Sequence, residues 1–156
     1  RFMMLNRSND MELDFDFDKV LEKNKENPVF YVQYCYARIN SLFNTLKINL
    51  KDPLIYNGKD FNLNSYEIRI IRKIFNWPKV IETASKKFEP HRIPFYLYDL
   101  ATLFHSYWSK GNEDENYRFI NNGVIRNTKT LFIIKSLSIV IENGMNILGV
   151  SLPKKM

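Results

Sequence analysis

Apolar side chains return every three to four residues along most of this chain, the period of helices with one buried face. Over residues 28–46, Val32, Tyr36, Ile39 and Phe43 fall at i, i+4, i+7 and i+11, a narrow stripe on one side of a helix. Asn27-Pro28 supplies its start, an N-cap followed by proline where a helix has no use for the missing N–H. A loop containing Asp52-Pro53 and Asn57-Gly58 is expected next. Asn64-Ser65-Tyr66-Glu67 resembles a capping box, which predicts a second helix running to about residue 76. Trp77-Pro78 ends that helix and begins a third over roughly 78–88. EPHRIP reads as a loop, and Pro94 opens a fourth helix that ends near Lys110-Gly111. The tract NEDENYRFINNG reads as polar loop. A fifth helix is expected over 127–143, with Leu131, Ile134, Leu137, Ile141 and Met145 at helical spacing, before Gly144 and Gly149 punctuate a short tail.

The N-terminal stretch departs from this period. Residues 13–18, LDFDFD, alternate apolar and acidic side chains, which predicts an extended segment with one face buried. The lysine- and glutamate-rich residues 19–26 then join it to the first long helix as a short helix. The fold class predicted is all-α, a bundle of about five helices behind a short extended or helical N-terminal piece.

Composition narrows the picture only modestly. At 156 residues the chain suffices for one domain with a sizeable core, and 45% hydrophobic with 26% charged residues is ordinary for a soluble protein. No run of about 18 apolar residues occurs, so no membrane span is expected. RFMMLNRSND lacks the apolar core and cleavage site of a signal peptide. The lone cysteine, Cys35, excludes an intrachain disulfide and suits a reducing cytosol. An opening on Arg1 rather than methionine suggests a fragment of something longer. The formal net charge of +6 favours a polyanionic partner such as nucleic acid, although the frequent Lys, Asn and Ile also resemble the codon bias of an AT-rich genome.

On the helix over 28–46, Tyr31, Tyr34 and Arg38 share a face centred about 130° from the apolar stripe, together with Ser41 and Thr45. That face is too polar for deep core and richer in aromatics than a solvated face requires. Tyrosine rings and a guanidinium can stack on unstacked bases while their polar tips reach phosphates or base edges. The other reading packs Tyr31 and Tyr34 against the N-terminal segment with their hydroxyls bonded, and how often tyrosine is partly buried tilts the pattern toward it.

A catalytic site is hard to assemble. His91, in EPHR, reads as a loop or cap residue, and His105, in LFHSYW, as a hydrogen-bonded core histidine. Cys35 falls between the two faces of its helix and reads as a small packing residue. Asp14, Asp16 and Asp18 read as the wet face of an extended segment rather than a metal cluster. No Walker loop, GxGxxG or zinc-ligand spacing occurs, so no catalytic residue, metal site or cofactor is assigned to these residues.

RFMMLNRSNDMELDFDFD followed by ENPVFYVQYCYARINSL resembles the junction between catalytic and anticodon-binding domains in arginyl-tRNA synthetases. The resemblance continues in EPHRIPFYLYDLATLFHSYW and ends in GMNILGVSLPKKM, similar to the family's C-terminus; residues 47–89 add little to it. It implies a class I aminoacyl-tRNA synthetase, a cytoplasmic ligase joining arginine to its tRNA with ATP and Mg²⁺, whose C-terminal helical domain of the DALR type grips the anticodon. The HIGH-type and KMSKS-type signatures are absent, so the active site is expected elsewhere. Residues 1–26 would then be a remnant and connector of the catalytic domain, and 27–156 the anticodon-binding domain.

By the same resemblance, a Tyr-x-x-Tyr-x-x-x-Arg set facing the anticodon loop maps onto Tyr31, Tyr34 and Arg38. A later aromatic maps onto Tyr107, and the family's terminal methionine onto Met156. The family's usual Ala-His is replaced by Cys35-Tyr36, which predicts a change in packing, since Tyr36 lies on the apolar stripe. The implied partners are the anticodon loop of an arginine tRNA and the catalytic domain of the same chain, in a monomer without a membrane. All arginine codons carry G in the middle, so a site that stacks the freed bases and reads one cytosine edge would serve every isoacceptor. The alternative is a free-standing helical module, derived from such a domain, that binds RNA or protein.

Overall fold

The computed structural model describes residues 1–8, 11–12, 16–24, 26–55 and 62–156. Among them the order is α1 (Phe2–Leu5), α2 (Phe17–Leu21), α3 (Pro28–Thr45), α4 (Ser65–Phe75), α5 (Trp77–Lys87), α6 (Arg92–Glu113), a 3₁₀ turn (Glu115–Tyr117), strands β1 (Ile120–Asn121) and β2 (Val124–Ile125), and α7 (Thr128–Ile147). The predicted all-α bundle is therefore present, with five long helices among the described residues.

The start signals act as the sequence indicates. Asn27 caps α3, its side chain accepting from the N–H of Phe30, and its amide donates to the carbonyls of Val20 and Glu22, each at 2.8 Å. One buried asparagine thus begins the helix and ties the N-terminal connector to it. On α4, Asn64 and Glu67 form a complete capping box. Glu67 is buried nonetheless, because Tyr107 and Thr130 donate to one of its oxygens and Lys129 stands 4.0 Å from the other. A buried carboxylate requires such partners.

The core lies where α3, α6 and α7 meet, with α4 closing one side. Val32, Tyr36, Ile39 and Phe43 of α3 are all buried, as the stripe predicts, and meet Leu97, Leu100 and Phe104 of α6 and Ile134, Leu137, Ile141 and Met145 of α7. Each such side chain contributes roughly 1.5–3 kcal/mol of burial. Cys35 is buried too, a packing residue whose thiol is pushed well up by burial. Phe2 of α1 inserts into the same core.

Three expectations are corrected. Of the alternating segment 13–18, residues 13–15 lie outside the described residues, while Phe17 and Asp18 open α2 instead of extending a strand. Asp16 causes this, its carboxylate accepting from the N–H of Asp18 as a helix cap does. NEDENYRFINNG is not simply loop: Asn122 and Gly123, both at positive φ, turn a two-residue hairpin with Ile120 paired to Ile125. Gly144 lies inside α7 rather than at its end, because an added Cβ would meet Leu97 at 2.7 Å; the glycine lets α6 and α7 approach. Helix α7 has the length and composition to cross a membrane, yet most of its apolar positions are buried in this core, with Ile139 and Ile147 exposed.

Asn57-Gly58 of the expected loop lies outside the described residues.

Candidate nucleic-acid interface

Helices α3 and α6 pack side by side, and along their seam the sequence places rings at spacings that share one face of each. From α3 come Phe30, Tyr31, Tyr34 and Arg38; from α6 come Tyr98, His105 and Trp108. Tyr31 lies with its ring centre 5.2 Å from Tyr98 and 4.4 Å from His105. Tyr34 stacks on His105 at 5.6 Å and on Phe30 at 5.9 Å. Both tyrosines are half-buried with ring contacts to α6, and Tyr34 also borders the connector residues Val20 and Leu21.

Arg38 is the hub. Its Cζ sits 4.3 Å from the Tyr34 ring centre and 5.1 Å from that of Trp108, within the range of cation–π attraction. Nη2 donates to the Tyr34 hydroxyl at 2.7 Å, and Nη1 faces Nδ1 of His105 at 3.4 Å. A guanidinium only donates, so Nδ1 accepts; Nε2 then carries the ring proton and donates to the Tyr31 carbonyl at 3.3 Å. His105 is thereby fixed as a neutral tautomer. Burial, reinforced by the Arg38 charge, lowers its pKa to about 4, against a smaller opposing effect of the Tyr31 carbonyl. Burial beside Tyr98 likewise raises the Tyr31 hydroxyl.

Among the described residues no carboxylate pairs with Arg38. Its charge rests on aromatic faces and neutral acceptors, which leaves N–H groups and net charge available to an anion. The C-terminus comes to the same place. Gln33 donates to the carbonyl of Ser151 at 2.8 Å, and exposed Met156 shares a cavity of about 470 Å³ with Phe30, Gln33, Tyr34 and Leu21.

Tyr107 does not join this cluster. It points to the opposite side of α6, buried against Tyr66 at 5.4 Å and Phe119 at 4.6 Å, its hydroxyl accepting from Asn64 and donating to Glu67. Burial, foremost, pushes that hydroxyl up to about 12. Its neighbour Trp108 occupies the seam instead, one wall of a further cavity of about 360 Å³ with Ser41, Thr45 and Arg118. Sequence reasoning missed Tyr98, His105 and Trp108 as seam residues, although their spacing of seven and three places them on one helical face. Among the described residues no three His, Cys, Asp or Glu side chains gather as a metal site.

Residues 32–156 match the DALR anticodon binding domain family. The chain is similar over its whole length to an arginine–tRNA ligase of Pelagibacter ubique, at 53% identity, and to one of Ruegeria pomeroyi, at 43%. It spans about a quarter of the length of these relatives, 27% and 28%. In fold it superposes over 99% of its length on an arginyl-tRNA synthetase of Thermus thermophilus, with TM-score 0.76, 23% identity and 25% of that chain covered. A Campylobacter jejuni protein of the same assignment gives TM-score 0.83 at 23% identity, with 32% of that chain covered.

Proposed function

Because the chain belongs to the DALR anticodon-binding domain family, we propose that it grips the anticodon loop of an arginine tRNA as the C-terminal part of an arginine–tRNA ligase. The observation that carries this reading is Arg38 held between the Tyr34 and Trp108 rings with no carboxylate beside it. Aromatic faces can receive splayed bases, and an unpaired guanidinium can meet a phosphate or a base edge. Tyr34, Arg38 and Met156 make the contacts in this proposal. Tyr31 supports Tyr34 and His105 from beneath, and Tyr107 acts from the core by positioning α6.

In the same reading, residues 1–26 come from the catalytic body and 27–156 form the anticodon-binding unit. Phe2 buried in the helical core and the bonds from Asn27 to the connector support a rigid junction between them. Arginine, ATP and Mg²⁺ would be handled by the catalytic body, in a cytoplasmic, monomeric enzyme. The described residues gather no metal-binding cluster that fits a Mg²⁺–nucleotide site, and no chemical step is assigned to them. The test is the effect of Tyr34→Ala on tRNA affinity in the full-length enzyme, compared with its effect on turnover at saturating tRNA.

A further inference from the structure

Positive charge is unevenly spread. Between Arg69 and Asp99 the sequence has seven Lys and Arg against three Asp and Glu, a net +4 of the chain's total +6. The structure folds this segment into α4, α5 and the start of α6, which together enclose an open groove of about 430 Å³. Lys73 of α4, Lys79 of α5 and Arg92 of α6 line it from three sides. Asp99 bonds Lys73 at 2.8 Å and Glu89 pairs with Arg92, whereas Lys79 is exposed and has no acidic partner among the described residues. Phe95, 45% exposed, stands in the wall beside His91, whose Nδ1 is buried without a hydrogen-bond partner among the described residues.

The groove borders the aromatic seam along α6. Phe95 and Tyr98 lie three residues apart on α6, and Tyr98 meets Tyr31, which meets His105. From Phe95 to His105 is ten residues, a rise of roughly 15 Å. At roughly 3.4 Å per stacked nucleotide, that is the length of four or five nucleotides.

We propose that this groove between α4, α5 and α6 holds backbone phosphates of the same RNA whose unpaired bases lie on the Tyr34 platform, a few nucleotides away along the strand. The inference rests on the anticodon-loop reading. Lys79 supplies the uncompensated cation, and Phe95 offers a face for an unpaired base at the groove's edge. Charge complementarity selects the occupant, since a net positive groove prefers a polyanion, and the aromatic residues that follow it along α6 select RNA among polyanions. Contacts to phosphate carry no sequence information, so the groove adds affinity and register rather than discrimination.

The test uses the full-length enzyme and tRNA transcripts, with dissociation constants measured across a salt series. Lys79→Ala is expected to lower the slope of log affinity against log salt by about 0.7–0.9 and to weaken binding about 5- to 10-fold near 0.1 M salt. Cognate and non-cognate tRNA should lose equally, and Lys79→Arg should restore the slope. An unchanged slope in Lys79→Ala overturns the groove assignment. If Tyr34→Ala still weakens binding in that case, the platform reading stands alone. If Tyr34→Ala leaves binding unaltered, the platform reading itself fails.

Discussion

Nη1 of Arg38 lies 3.4 Å from Nδ1 of His105, an arginine and a histidine held in contact by a bond that only a neutral imidazole can accept. The contact couples the cation of the proposed platform to a titratable group in the core. Protonating His105 would turn Nδ1 into a donor facing other donors.

That coupling predicts a pH dependence. His105 has its folded-state pKa lowered from 6.5 to about 4, so the unfolded chain binds the extra proton first as pH falls. Its contribution is full above about pH 6.5 and is lost progressively down to about pH 4, by roughly 3 kcal/mol in total. Urea unfolding at pH 4.5 and 7.5 measures this. The His105→Gln variant should be less stable at pH 7.5, with a smaller drop between the two values.

Two adjacent rings should separate function from stability. Trp108→Ala removes one of the two rings beside Arg38 and should weaken tRNA binding about 5-fold or more, with some loss of stability because the ring also packs on Phe104 and Phe119. Tyr107→Phe removes the hydroxyl that joins Asn64 to buried Glu67, and should cost about 1–3 kcal/mol of stability with tRNA affinity nearly unchanged. Parallel denaturation and filter-binding measurements read both effects.

Gly144 tests the α6–α7 contact. Alanine is ordinarily the better helix former by about 1 kcal/mol, so an exposed glycine here would gain from the change. With Leu97 2.7 Å from the added Cβ, Gly144→Ala should instead destabilise by about 1–3 kcal/mol. A rise in melting temperature would show that the helices have room to spare.

Much of this was legible in the sequence, because the strongest signals were local. Asn27-Pro28, the Asn64–Glu67 box and the Val32–Phe43 stripe each act within a few residues of chain, and each appears in the structure. The hairpin was legible as well, since Asn122-Gly123 is a turn signal, but acidic and polar neighbours concealed it. What could not be read was anything set by a distant partner. Gly144 looks like a helix end until Leu97 is brought against it. The seam obeys the same rule. Tyr31, Tyr34 and Arg38 could be grouped from α3 alone, whereas choosing Trp108 over Tyr107 required knowing which side of α6 faces α3.

The most direct measurement is steady-state aminoacylation of an arginine tRNA by the full-length enzyme carrying Tyr34→Ala. Loss of one stacked base, worth about 1–3 kcal/mol, predicts a KM for tRNA about 5- to 150-fold higher, with kcat at saturating tRNA within about twofold of the parent. An unchanged KM for tRNA, or a loss confined to kcat, would contradict the assignment of this face to the anticodon loop.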